Sequence, residues 1–217
     1  MEGKKKRGMP KEVATEWNAV WREVLNLHGQ WTVYIELFGN EGHVTLMQET
    51  LPDVFGLIQT ALRHEITMAH GRLLDPPKSM GKDNMSVARL LETVKPHCPA
   101  DLNGRLGKML EHVRTHCAPM LQWRNKRVGH SDRQVALNLE ADPLPNIERA
   151  EIEAGLEMLG GLVNEIDLYF NDRITPFEFA LMRGTPGDLM QFIRDALDAR
   201  EREMEEKYGY RRDRGDE

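Results

Sequence analysis

The chain has 217 residues, with 29 Lys and Arg against 35 Asp and Glu for a formal net charge of −6, and 40% hydrophobic residues. Its 18 glycines bring the apolar share to about 48%, the ordinary globular range. No apolar run approaches the roughly 18 residues that span a bilayer, and the net charge excludes a protein that holds nucleic acid through a uniformly basic coat.

Residues 1–9 read as a flexible basic N-terminus: Met1–Arg7 is rich in lysine, with no hydrophobic stretch and cleavage site of a secretory signal behind it. Two cysteines, Cys98 and Cys117, cannot form a disulfide framework, so a reducing cytoplasm is the expected setting. A first helix is expected over 10–38, where Val13, Trp17, Val20, Val24, Leu27 and Trp31 form one apolar stripe. Of the tryptophans at 17, 21 and 31, two lie on that stripe, which favours core over a base-stacking platform. Gly39–Gly42 reads as a turn. A second helix is expected over 51–73, with Leu51, Phe55, Ile58, Leu62, Ile66, Ala69 and Leu73 in line and Pro52 in its first turn. Asp75–Lys82 holds several breakers and reads as a loop, and Ser86–Val94 as a short helix.

The next stripe runs Leu102, Leu106, Met109, Val113, Cys117 and Met120, from a helix capped near Asp101, restarted at Pro119 and ended by Gly129. Asn146 is the expected cap of a helix striped by Ile152, Leu156, Leu159, Val163, Ile166 and Phe170, with a bend or close contact at Gly160-Gly161. Thr185-Pro186 opens a last helix carrying Leu189, Phe192, Ile193 and Leu197. Residues 200–217 mix both charges and read as a disordered tail. Val33–Ile35 and Val135–Leu139 are the sole strand-like stretches. The fold class is all-α: an up-and-down bundle of four to five helices over 10–175, with an extra C-terminal helix over 176–199 on or beside it.

Familiar catalytic and phosphate-binding motifs are missing. There is no Gly-x-x-x-x-Gly-Lys and no Gly-x-Gly-x-x-Gly, and His64-Glu65 lacks the second histidine of a zinc-protease motif because position 68 is Met68. His112 and His116, one helical turn apart with His97, Cys98 and Cys117 nearby, suggest a metal site. Cys117 sits on the apolar stripe, where a free cysteine is usually a small core residue, and no metal is expected.

The informative segment is Trp123–Asp132. Arginine-to-histidine spacing alone decides nothing, since Arg22 and His28, Arg63 and His70, and Arg105 and His112 are similarly placed. Arg124 differs in continuing an apolar stripe, where a charged head needs a specific reason to be. Asn125 follows it directly. On an ideal helix, residues six apart lie about 120° from one another, so Arg124 and His130 converge only if the helix stops or bends, and Gly129 offers that exit. Residues 105–133 hold seven basic residues and two acidic ones, a net of +5, while residues 134–170 carry eight acids against Arg149. A small positive cleft on an acidic body is therefore compatible with the net charge.

The sequence Arg124-Asn125-(x4)-His130 resembles the signature of the HEPN superfamily, an arginine often followed by asparagine and then a histidine four to six residues after the arginine. The wording of 124–132, together with Leu73-Leu74-Asp75-Pro76 and Ser79, Gly81, Asn84 and Ser86, resembles the branch associated with the abortive-infection protein AbiU. Gly129 departs from the alanine more usual there. The resemblance covers roughly residues 10–170. It implies a helical bundle, usually a homodimer with the two signature helices meeting across a shared cleft. It also implies a metal-independent endoribonuclease of a prokaryotic toxin or antiphage system, without cofactor. Carried over residue by residue, Arg124 and His130 are catalytic and Asn125 supports them, with Lys126, Arg127 and Ser131 as the expected RNA contacts. RNA is the expected ligand and an antitoxin protein a candidate partner. Two alternatives stand beside this one: a non-catalytic module of the same fold holding RNA, a nucleotide or a protein, and a structural Arg124 paired with an acid such as Glu65.

Overall fold

The computed structural model describes residues 8–128, 144–179 and 184–209. Helix α1 is Lys11–Phe38, α2 Glu41–Thr50 and α3 Pro52–Leu74. A two-stranded antiparallel hairpin follows, β1 Lys78–Ser79 with β2 Lys82–Asp83. Then come α4 Val87–Val94, a 3-10 turn Lys95–His97, α5 Ala100–His116, α6 Ala118–Trp123 and a π-helical turn Arg124–Val128. After the undescribed 129–143, α7 spans Arg149–Asn171, a 3-10 turn Phe177–Phe179, and α8 Pro186–Tyr208. Among the described residues the chain is all-α apart from the small hairpin, as the periodicity predicts.

The chain divides into two compact units, Met1–Trp31 with Ala61–Ala180, and Thr32–Thr60 with Leu181–Glu217. In the first, α7 is the central element. Leu159, Leu162, Val163 and Ile166 are fully buried, and helices on either side are tied to its backbone or its surface. Trp17 Nε1 donates to Val163 O at 3.2 Å and His28 Nε2 lies 3.2 Å from Leu156 O, so α1 runs antiparallel to α7. Arg105 meets Glu165 at 2.9 Å and His116 Nε2 lies 2.8 Å from Glu151 O, so α5 does the same on its side. The expected close contact at Gly160 is real: a Cβ there would lie 3.0 Å from Phe177 Cδ2 and 3.6 Å from His28 Nε2. Trp17 and Trp31 are buried, which agrees with their core reading.

The second unit has its own core of Leu37, Leu46, Met47, Phe55 and Met190, with Ile193 and Leu197 packed against it. Pro186 opens α8 behind a capping box in which Thr185 Oγ1 accepts from Asp188 N at 3.1 Å, as Thr185-Pro186 predicts.

Several local expectations are corrected. Val33–Ile35, strand-like by composition, continues α1, within the helix expected over 10–38. Helix α2 is a new element. It buries just Leu46 and Met47, too few for a visible period, although its N-cap Asn40 accepts from His43 N at 3.1 Å. Leu51 and Ile58 of the expected α3 stripe are exposed, at 53% and 38%. Asp101 lies inside α5, whose N-cap position is Pro99. Glu148, with Glu151 in a capping box, caps α7 in place of Asn146. The charged stretch 200–208 is helix up to the left-handed Gly209. Its Glu, Arg, Met and Lys residues are good helix formers even without an apolar stripe. Val135–Leu139 and Gly129 lie outside the described residues.

Candidate active site

The path to Arg124 begins at Cys117. There α5 ends and α6 restarts with Pro119 in its first turn, where the missing N–H costs nothing. The break keeps the apolar stripe inward: Val113, Cys117 and Met120 are all buried. Gly155 of α7 makes room for it, since a Cβ there would stand 3.0 Å from Cys117 Sγ and 3.4 Å from Met120 Cε. Trp123 Nε1 donates to Pro145 O at 2.7 Å, tying the end of α6 to the start of the segment that leads into α7. Beyond it the backbone widens into the π-helical turn 124–128. Such turns re-aim side chains and recur at functional sites. The ideal α-helical path is thus left before position 129.

Arg124 lies across α3. A Cβ on Gly71 would collide with Arg124 Cδ and sit 2.8 Å from Nη1 and 2.9 Å from Nε, so the guanidinium stem occupies the space that any other residue at 71 would fill. The head is held at two atoms: Nη1 donates to Asp75 Oδ1 at 2.6 Å and Nε to Asn125 Oδ1 at 2.9 Å. The Arg124 and Asp75 side chains are 22% and 27% exposed, so the pair sits at the edge of the interior with a face to solvent.

Asp75 is itself fixed from both directions. The preceding carbonyl, Leu74 O, accepts from Arg114 Nε and Nη2 at 3.3 and 3.2 Å, a cation at the negative end of α3. After Pro76-Pro77, Asn84 closes the hairpin by donating through Nδ2 to Pro76 O and Ser79 Oγ, both at 2.9 Å, and through its backbone N to Pro77 O at 2.8 Å. Met80 and Gly81 make the tight turn with φ of 48° and 79°. Ser86 then caps α4, accepting from Arg89 N at 3.3 Å. The two segments singled out in the sequence, 73–86 and 124–125, therefore meet at one ion pair.

Asn125 and Arg127 are exposed and Lys126 is half-buried. His130 and Ser131 lie outside the described residues. The anticipated structural partner Glu65 is corrected: it binds Arg72 at 2.6 Å, and Asp75 takes the place beside Arg124. Gly71 and Arg114 shape the surroundings of Arg124 and Asp75, and sequence reasoning missed both. The available signal for Gly71 is a glycine inside a helix, which costs about 1 kcal/mol relative to alanine and so asks for a reason. Arg114 carries no signal short of the fold.

The metal candidates separate. His116 is bonded to Glu151 O, and burial pushes the Cys117 thiol up to about 12 and that of Cys98 up to about 11, the opposite of what a thiolate ligand needs. Among the described residues no group of three ligating side chains converges. His70, next to the Gly71 cradle, is fully buried. Its Nδ1 lies 2.8 Å from Ile66 O, and burial drives its pKa down to about 4.

No curated protein and no solved structure matches the chain. The family model described as AbiU2, of the HEPN group, matches residues 11–208. That span takes in both units, the Gly71–Asp75 end of α3 and the Arg124 turn, and the chain belongs to the HEPN AbiU2 family.

Proposed function

We propose that the protein is a metal-independent endoribonuclease of a prokaryotic toxin or antiphage system, acting as a homodimer with Arg124 and His130 as its catalytic pair. The observation that carries this is the arginine head of a HEPN signature, held in a fixed pose on a π-helical turn at the edge of the interior.

In the proposed reaction the ribose 2′-oxygen attacks the adjacent phosphorus. The new P–O2′ bond forms as the P–O5′ bond breaks, the 2′-OH proton passes to a base, and an acid returns a proton to the departing O5′. Histidine, with an unperturbed pKa near 6.5, serves either proton transfer near neutral pH. A homodimer supplies one His130 for each. Arg124 faces the non-bridging oxygens, where its permanent charge stabilises the phosphorane. Asn125 supports Arg124, and Lys126, Arg127 and Ser131 contact the strand. An antitoxin protein would act by covering the same cleft.

A pair of oligonucleotides tests the reading: one RNA and the same sequence in 2′-deoxy form, each incubated with protein and a chelator. The RNA alone should be cut, leaving a cyclic phosphate on one product and a 5′-hydroxyl on the other. Cleavage of both, or of neither, overturns it. In the second case, salt-sensitive RNA binding without products would mark a non-catalytic module of the same fold.

A further inference from the structure

Asp75 stands at 2.6 Å from Arg124 Nη1 while Asn125 takes Nε. A guanidinium has five N–H donors in a rigid plane. Two are spent on these partners, which fixes both the position and the rotation of the plane. The second Nη1 hydrogen and the two on Nη2 remain for acceptors other than Asp75 and Asn125. A carboxylate beside the catalytic cation also has a cost, because it lowers the attraction the site exerts on a phosphate. Its surroundings show that the carboxylate is built in. Arg114 pins the carbonyl just before it, the Asn84-closed hairpin pins the backbone just after it, and Gly71 clears the path by which Arg124 reaches it.

Resting on the ribonuclease reading above, we infer that Asp75 is a positioning residue: it holds the Arg124 fork so that its remaining donors face the scissile phosphate in the transition state. The Leu73–Ser86 segment is then the brace for that carboxylate, which gives Asn84, Ser79 and Gly81 a shared purpose beyond closing a loop. The inference separates orientation from affinity. Removing the carboxylate frees the fork to rotate, and a displacement of about 1 Å at a reacting centre costs roughly 100-fold in rate. It also removes a negative charge from beside the phosphate, so ground-state binding is kept or strengthened.

The test uses Asp75→Ala, the isosteric Asp75→Asn and the charge-conserving Asp75→Glu, in the full chain. In Asp75→Ala kcat should fall roughly 10- to 100-fold while KM stays level or drops. Asp75→Asn should fall between Asp75→Ala and the parent, and Asp75→Glu should recover part of the loss. The second readout needs no activity: solvent exchange of the Arg124 Nε–H, followed by NMR. It should quicken roughly fivefold in Asp75→Ala, as expected when a hydrogen bond worth about 1 kcal/mol net loses its support. A merely structural Asp75 would lower the melting temperature and leave both readouts of the folded protein unmoved, which overturns the inference. If the parent protein cuts no RNA, the ribonuclease reading fails, and the Nε–H exchange still decides whether Asp75 holds the fork.

Discussion

Replacing Gly71 with alanine isolates the placement of Arg124 from the stability of the protein. Inside a helix the change should help, since alanine is favoured over glycine by about 1 kcal/mol. Here the added methyl would meet Arg124 Cδ, Nη1 and Nε, so the side chain must leave α3 and give up Asp75. The ion pair is partly screened, and pairs of this kind contribute up to about 1 kcal/mol. Gain and loss nearly cancel, and for a chain of this size the melting temperature should move by no more than about 2–4 °C in either direction. Turnover has no such compensation. Losing a preorganised donor to the transition-state charge costs on the order of 100- to 1,000-fold in kcat. Gly107→Ala on α5 is the control, because nothing lies within 4 Å of its Cβ. It should gain the helix propensity and keep full activity. A fluorogenic RNA substrate and a thermal melt, run on both variants and on Arg124→Ala, complete the comparison. If Gly71→Ala cleaves RNA at the parental rate, Arg124 does not need its cradle and the site has been misread.

Two further predictions concern acid stability and salt. His70 is buried neutral, with its pKa pushed down to about 4 from 6.5. The unfolded chain therefore binds a proton that the folded protein refuses: stability is complete above pH 6.5 and is lost as pH falls toward 4. Between pH 7.5 and 5.5 this amounts to about 1.4 kcal/mol, measurable as a drop in the urea midpoint. His70→Leu should flatten that limb, and an unchanged slope would mean that His70 is not what limits acid stability. For RNA binding, Lys126→Ala and Arg127→Ala should each weaken affinity evenly across sequences and reduce the slope of log K against log salt by about 0.7 for single strands. A loss confined to one sequence would point to base reading instead.

Helix periodicity made the all-α class and the burial of α7 legible, because Leu156, Leu159, Val163, Ile166 and Phe170 keep one face over about four turns of a single helix. It failed at α2 and at 200–208, where helix forms with little or no apolar stripe and the pattern carries no signal. The site was half legible. Arg124 stood out as a charge on an apolar stripe, and that oddity led to a real constraint, although its partner is Asp75 and not Glu65. No local rule connects position 71 or 75 to position 124. That relation arises from the packing of α3 beside the end of α6, and it appears in sequence as nothing more than a glycine in a helix and an aspartate before two prolines.

RNA cleavage by the parent protein and by its His130→Ala and Arg124→Ala variants, purified alike and assayed with a chelator at a concentration where the proposed homodimer would be intact, decides the proposed chemistry. The parent should cut RNA, and both variants should lose at least about 100-fold in rate, the scale of a missing general acid–base or charge-stabilising group, while melting much as the parent does and, in His130→Ala, while still binding RNA. Equal cleavage by parent and His130→Ala, or none by any of the three, would contradict it.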